Sequence, residues 1–226
     1  PAPRNGYLQA LDEEGLFDLA CQHDLLLELR HRPGDFVMTG STLLRVRGRQ
    51  VPGEGLRSAL LGKFAFGARR MSLQDLDFLF DQLVEVALRA LSPAINDPFT
   101  AKMCADRIGD GLALLGRVEL PSGRRYDEAG TLRIIAPTLD LPALAEACLG
   151  PLRRHASNSL QLYLHLTRTI GGVLALADEP GLRRVLLREL RLLEATGTER
   201  LRPEDGQQLT AAYRQVLAAA NAAEGP

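Results

Sequence analysis

The chain has 226 residues, a formal net charge of −1 and 46% hydrophobic residues. These values indicate a globular protein of one large domain or two small ones, with enough leucine and valine to build a core. The balanced charge argues against nucleic-acid binding, which is typical of strongly basic domains, and the lack of tryptophan argues against base-stacking platforms and sugar-binding clefts.

The cysteines and the hydropathy profile indicate a cellular setting. Cys21, Cys104 and Cys148 are odd in number, widely spaced and embedded in apolar helical patterns. They predict reduced, buried thiols in a reducing compartment. No run reaches about 18 uninterrupted apolar residues, so we expect no membrane-spanning helix within the chain. No secretory signal opens it, and its start, PAPRNGYLQ, is typical of a cut inside a longer protein.

Residues 1–50 predict a small α+β module of strand, helix, strand and hairpin. GYLQALD alternates as a strand does, and DEEGLFDLACQHD places acidic residues in a first helical turn. LLLELRH predicts a second strand, and RPGD a turn in which Gly34 is free to adopt a positive φ. FVMTGSTLLRV predicts two short strands. The pattern from Gly34 to Leu43 resembles the hairpin of biotinyl/lipoyl-type barrels, but no lysine lies at its tip, so we expect no carrier role.

A Gly/Pro-rich linker over 48–55 predicts a boundary, with a helical domain over residues 51–226. We expect a short helix over 55–66, a long helix capped by Ser72, and a strand in TLRIIAP that pairs with RVEL across a polar loop. The remaining helices are predicted over 98–115, about 141–156, 158–177, 181–196 and 203–223. Three of them begin with a proline in the first turn: Pro142, Pro180 and Pro203. The predicted fold class is therefore α+β, predominantly α.

The stretch LVEVALRALSPAINDPFTA predicts a corner between two helices. A proline disfavours α geometry in the residue before it, so the first helix should end near Leu91 or Ser92. Asp97 and Pro98 are typical of an N-cap followed by the first helical position. Only residues 93–96 remain to reverse the chain, so the sequence predicts an antiparallel helical hairpin.

The polar residues around this corner are Arg89, Ser92, Asn96, Asp97 and Thr100. One interpretation is a helix cap with a polar turn. The other is a ligand-binding pocket, because free amides and the dipole at a helix N-terminus favour an anion and Arg89 could add positive charge. Both interpretations remain open at this stage.

Other candidate chemistry is weaker. Asp77, Asp81 and Glu85 form an acidic stripe, which predicts either a solvated face or a metal site; the Glu-x-x-His spacing of di-metal bundles is missing, so we expect no metal. His165, in an apolar helix, predicts a hydrogen-bonded core or pocket histidine, or a proton-handling one. No nucleophile has a recognisable triad partner and no phosphate or dinucleotide fingerprint occurs, so we expect no enzyme and no cofactor.

The corner motif also carries a resemblance. LVEVALRALSPAINDPFTA, with GYLQALDEEGLFDLA, HRPGDFVMTGSTLL and LRIIAP, resembles a bacterial family of predicted membrane proteins named domain of unknown function 2254, over most of residues 6–136. That family usually shows glycine where this chain has Ala94, which disfavours a positive φ there. The resemblance implies transmembrane helices N-terminal to this part and absent from it. It implies no established activity or catalytic residue.

These observations predict the soluble, cytoplasmic domain of a bacterial inner-membrane protein, with an assembly, regulatory or partner-binding role. The alternative is a module that senses a small ligand or anion, and an orphan enzyme ranks last. The expected partners are the protein's own membrane-spanning segment and a second copy, because Leu-rich helices such as 181–196 offer apolar stripes. Four arginines of that helix predict either a solvated stripe or contact with anionic lipids: Arg183, Arg184, Arg188 and Arg191.

Overall fold

The computed structural model describes residues 1–49 and 52–222, and the chain forms two compact units. Unit 1 comprises residues 1–79 and 121–139, and unit 2 comprises residues 80–120 and the chain from residue 140 onward. The described residues form eight helices and two small sheets, which confirms the predicted α+β, predominantly α class. Gln50 and Val51 of the predicted linker, and residue 223 of the predicted last helix, lie outside the described residues.

Unit 1 is built from two sheets and two helices. Its elements are β1 (Gly6–Leu11), α1 (Glu13–Gln22), β2 (Leu26–Leu29), β3 (Phe36–Val37), β4 (Leu44–Arg47), α2 (Glu54–Leu61), β5 (Phe64–Gly67), β6 (Arg124–Tyr126) and β7 (Leu132–Ile135). One sheet has the antiparallel order β3-β1-β5. The other has the order β4-β2-β7-β6, in which only β2 and β7 are parallel. Leu8, Leu16, Leu27 and Ile134 are fully buried between these elements.

Residues 36–47 form the two expected strands, but the strands pair with different partners. β3 pairs with β1 and β4 pairs with β2, so this segment connects the two sheets and does not form a barrel-type hairpin. The turn between them places Gly40 at a φ of 83°, and Val37 and Leu43 on either side of it are buried in the same core. Gly34 adopts the predicted positive φ, at 100°.

Three predictions about elements that come after residue 47 were wrong. The helix expected over 55–66 ends at Leu61, and β5 follows it because alternate burial of Phe64 and Phe66 suits a strand paired with β1. The strand TLRIIAP pairs with Arg124–Tyr126, inside the expected polar loop, and not with RVEL. The cap of the long helix is Asp75, whose Oδ1 accepts from Phe78 N at 3.0 Å, and not Ser72.

The compact units also divide the chain differently from the boundary predicted at residue 50. β5 pairs with β1, and β7 pairs with β2, so residues 64–67 and 132–135 belong with the N-terminal module. Strand pairing between segments that are distant in sequence therefore determines which residues belong to unit 1. The position of a Gly/Pro-rich linker gives no information about such pairing.

Unit 2 is helical. Its elements are α3 (Leu76–Ala90, whose first residues belong to unit 1), α4 (Pro98–Leu115), α5 (Leu141–His155), α6 (Leu160–Leu176), α7 (Pro180–Arg200) and α8 (Pro203–Ala222). The three prolines lie in first turns, as predicted. α6 packs against α4, α7 and α8. A Cβ added at Gly171 would lie 3.0 Å from Val216, so glycine permits the close approach of α6 and α8.

The apolar stripe of α7 is buried in the core of unit 2. Its four leucines are all nearly inaccessible to solvent: Leu182, Leu186, Leu190 and Leu193. This corrects the expectation that the stripe binds a second copy, because an interface residue must be exposed before association.

Candidate functional site

The predicted corner lies between α3 and α4. α3 ends at Ala90, two residues before Ser92, and α4 begins at Pro98. Asp97, the residue before Pro98, has a non-helical φ of −107° and ψ of 82°, as expected of a residue that precedes proline. The two helices are antiparallel neighbours, because Phe80 near the start of α3 packs against Gly111 near the end of α4. A Cβ added at Gly111 would lie only 2.6 Å from Phe80 Cζ. The antiparallel hairpin is therefore confirmed.

Asp97 caps α4. Its Oδ1 accepts from the amides of Phe99 and Thr100, both at 3.1 Å, and its Oδ2 accepts from Thr100 Oγ1 at 2.5 Å. The Thr100 hydroxyl, followed by the Thr100 amide, lowers the pKa of the Asp97 carboxyl below its ordinary value of 3.8. The carboxylate thus satisfies amides that the first helical turn leaves without a helical partner.

The other predicted residues contribute in different ways. Asn96 adopts a left-handed φ of 48°, which asparagine tolerates better than most residues, and the positive φ therefore falls at Asn96 and not at Ala94. The Ser92 carbonyl accepts from Asn96 N at 2.8 Å. Arg89 donates to Glu85 Oε1 at 2.5 Å, one turn earlier on its own helix. The structure therefore brings Asn96, Asp97 and Thr100 together at the start of α4. Arg89 is not part of this group, because it pairs with Glu85 on its own helix, α3.

This geometry bears on the anion hypothesis. The Asp97 carboxylate already occupies the amides of Phe99 and Thr100, so an external anion at this helix N-terminus would have to compete with it. The cap accounts for the observed contacts of Asp97, and ligand binding by Arg89, Ser92, Asn96, Asp97 and Thr100 stays a prediction.

We expect Asp97→Ala to lower the melting temperature by about 2–4 °C at neutral pH, as loss of an N-cap does in a chain of this size. Asp97→Asn is the matched control, because asparagine caps nearly as well, and should melt close to the wild type. Differential scanning calorimetry with and without phosphate makes the comparison. An unchanged melting temperature for Asp97→Ala, together with loss of a phosphate response shown by the wild type, would favour the ligand site instead.

The cap should also respond to pH. Because the pKa of Asp97 is lowered in the folded chain, its contribution is fully present above the ordinary value of 3.8 and is lost as pH falls through the lower folded pKa. The difference in melting temperature between wild type and Asp97→Ala should therefore close below pH 4. The cap of Asp97→Asn does not titrate, so this variant should melt close to the wild type at neutral pH and above it in acid. A difference between wild type and Asp97→Ala that stays open in acid would contradict the carboxylate cap.

The solvent-exposed side of α4, which we call the α4 outer face, is formed by Phe99, Met103, Asp106, Arg107, Asp110 and Leu114. Phe99, Met103 and Leu114 retain 67%, 54% and 66% of their exposure. The opposite side of the helix, with Ala105 and Ile108 at its centre, is buried. Large apolar side chains on a rigid helix are thus presented to solvent.

Charged contacts cross the α4 outer face. Asp106 Oδ1 lies 2.7 Å from His165 Nε2 on α6, so the predicted hydrogen bond of His165 is confirmed, but His165 is only partly buried and its partner is exposed, so it is not a core histidine. Arg107 donates to Asp110 Oδ2 at 3.2 Å within the helix. Both partners of this second pair are largely exposed, so it contributes little to stability.

Sequence reasoning missed a buried ion pair. Glu189 retains only 2% of its exposure, and its Oε2 lies 3.1 Å from Arg153 Nε across α5 and α7. Arg153 also donates to Thr196 Oγ1 at 3.3 Å. A signal was available, because Glu189 falls among the buried leucines of α7, where Leu186 lies three residues before it and Leu190 next to it.

Two of the four arginines predicted for lipid contact have partners in the protein. Arg183 donates to the carbonyl of Leu174 at 2.6 Å, at the C-terminal end of α6, and Arg188 lies 2.6 Å from Glu146. Arg184 and Arg191 are exposed.

Unit 1 contains an open groove of about 1090 Å³ along α1 and β6. Glu13 and Arg125 form an ion pair there, and Phe17 and Tyr126 add apolar surface. The mixed charge indicates no particular ligand. Within residues 1–49 and 52–222, no group of three His, Cys, Asp or Glu side chains is arranged to hold a metal ion.

The fold and the corner motif define the class: an α+β, predominantly α protein with an antiparallel helical hairpin. Residues 1–171 match the family described as "Predicted membrane protein (DUF2254)", and the chain belongs to this family. Uncharacterised proteins from Mycobacterium bovis and Mycobacterium tuberculosis strain H37Rv are each 29% identical over 196 residues. The match covers 85% of this chain but 38% of each relative, so the chain spans well under half of their length. No solved structure matches.

The part of the chain that the structure describes contains no helix with both the length and the hydropathy needed to cross a bilayer.

Proposed function

We propose that this chain forms the soluble, cytoplasmic part of an integral membrane protein and serves its assembly. The observation that carries this proposal is the α4 outer face, where Phe99, Met103 and Leu114 are exposed on an ordered helix. Apolar side chains clustered on a surface are typical of interaction sites.

The membrane setting is supported by the family and by length. The family consists of predicted membrane proteins, and the relatives are more than twice as long as the part this chain matches. We infer that membrane-spanning segments belong to the part of such proteins outside the match. They would be the partner to which this domain is tethered.

The cytoplasmic side is supported by the thiols. Cys21 and Cys104 are free thiols, and free cysteines persist in reducing compartments. Cys104 and Cys148 are buried, and burial raises the pKa of the Cys104 thiol, which keeps it protonated and unreactive. Arg184 and Arg191 are exposed on α7 and could contact anionic headgroups of the cytoplasmic leaflet.

Fractionation of cells that express the complete gene product tests this proposal. We expect the product to stay in the membrane fraction after alkaline extraction. A reporter that works only in the cytoplasm should be active when it is fused after this domain. Recovery from the soluble fraction, or activity of a reporter that works only outside the cytoplasm, would contradict the proposal. The phosphate titration of Asp97→Ala separates it from the anion-sensing alternative.

A further inference from the structure

We propose that the α4 outer face binds the same face of a second copy of this chain. The two α4 helices run antiparallel about a twofold axis that passes between Asp106 and Arg107. This inference rests on the assembly role proposed above, for which it names the partner and the contact.

The face is self-complementary in one register. In an antiparallel pair centred between residues 106 and 107, each residue faces the one equally far on the other side of the centre. Phe99 lies seven residues before Asp106, and Leu114 lies seven residues after Arg107, so these two exposed apolar side chains meet at both ends of the contact. At the centre, Asp106 of each copy faces Arg107 of the other.

Charge favours this orientation over the parallel one. Two parallel helices in register would place Asp106 against Asp106 and Arg107 against Arg107, which is repulsive. The antiparallel register forms two Asp106–Arg107 pairs, as an isologous interface requires, because every contact occurs twice. Met103 then faces Asp110, whose carboxylate is already bound by Arg107 of its own helix.

The side chains of the monomer leave these contacts available. Asp106 uses Oδ1 for His165, and its side chain remains 55% exposed, which leaves Oδ2 accessible to the arginine of the other copy. Arg107 donates to Asp110 through one terminal nitrogen, and a guanidinium has further donors. From Phe99 to Leu114 the face runs for about 23 Å at 1.5 Å per residue, a length that two helices can share along their sides.

Sedimentation equilibrium of the purified chain over a range of concentrations tests the proposal. We expect a monomer–dimer equilibrium whose dissociation constant rises by about tenfold or more for Arg107→Glu, because the introduced carboxylate then faces Asp106 of the other copy. The double variant Asp106→Lys with Arg107→Glu should restore dimerisation, because it exchanges the two charges and keeps them opposite. Phe99→Glu should also weaken the dimer, because it places a charge against Leu114.

Two matched controls lie on α7. Arg184→Glu reverses an exposed arginine, and Leu192→Glu places a charge at an exposed leucine, so both should dimerise as the wild type does. Circular dichroism melting shows that each variant is folded, and Phe99→Glu and Arg107→Glu leave the Asp106–His165 contact in place.

The possible results distinguish failure of the proposed contact through the α4 outer face from failure of the proposed assembly role. A monomer at all concentrations overturns both. A dimer that neither Phe99→Glu nor Arg107→Glu weakens overturns the face and leaves the assembly role standing. Weakening by Arg107→Glu without recovery in the charge-exchanged variant overturns the antiparallel register.

Discussion

Replacement of Arg153 by methionine is expected to lower the free energy of unfolding by about 3 kcal/mol, because it leaves a buried carboxylate without its closest cation. Glu189 is 2% exposed, and Arg153 Nε lies 3.1 Å from its Oε2. Arg188 also approaches Glu189, at 3.6 Å, but it is paired more closely with Glu146. Urea denaturation followed by far-ultraviolet circular dichroism measures the change.

Arg154→Met is the matched control, because Arg154 is the next residue and is exposed. It should change stability by less than about 0.5 kcal/mol, as surface substitutions usually do. The double variant Arg153→Met with Glu189→Met should recover most of the loss, since apolar residues replace a buried ion pair at little penalty. Equal effects of Arg153→Met and Arg154→Met would show that the buried pair does not determine the loss.

The second large effect is expected at the hairpin. Gly111→Val should lower the free energy of unfolding by about 2–3 kcal/mol, because a side chain at this position overpacks the contact between α3 and α4. Even a bare Cβ at Gly111 would lie 2.6 Å from Phe80 Cζ, and Phe80 is buried. The same urea titration reports this change.

Gly172→Val is the control for helix propensity, because nothing lies within 4 Å of a Cβ at that mid-helix position. Valine favours a helix more than glycine, so this variant should be at least as stable as the wild type. Phe80→Leu in the Gly111→Val background should recover part of the loss by removing volume opposite the new side chain. A loss that is independent of Phe80 would contradict the antiparallel contact.

The hairpin was predictable because its determinants are local. Pro93 and Pro98 restrict the residues before them, and Asp97 binds amides two and three residues ahead. Short-range constraints of this kind need no knowledge of the rest of the fold. The family resemblance rests on the same motif, and the family match over residues 1–171 confirms it.

The strands of unit 1 were harder to predict because their partners are distant in sequence. FAFG continues an apolar pattern after α2, and only its pairing with β1, more than 50 residues earlier, makes it a strand. RRY is polar and short, and β7 determines its state. The division into units could not be predicted for the same reason, because it depends on pairing between strands that are distant in sequence.

The α4 outer face could not be predicted from periodicity. Phe99, Met103 and Leu114 have the spacing and hydropathy of core residues, and their exposure is decided by which side of α4 meets α6. Gly109 marks that side, because a Cβ there would lie 2.5 Å from Thr169. The opposite error occurred for α7: its leucines were expected to be exposed and to support self-association, but they are buried.

Cross-linking in native membranes tests the assembly role most directly. The complete gene product would carry Cys21→Ser and Asp110→Cys, with Cys104 and Cys148 buried, and a short bis-maleimide would be added to inverted vesicles that expose the cytoplasmic face. Position 110 lies about 5 Å along α4 from the proposed twofold axis and leaves both Asp106–Arg107 pairs in place, so we predict a cross-linked dimer from Asp110→Cys and only monomer from Arg184→Cys. Monomer from both positions, or equal dimer from both, would contradict an assembly contact through α4.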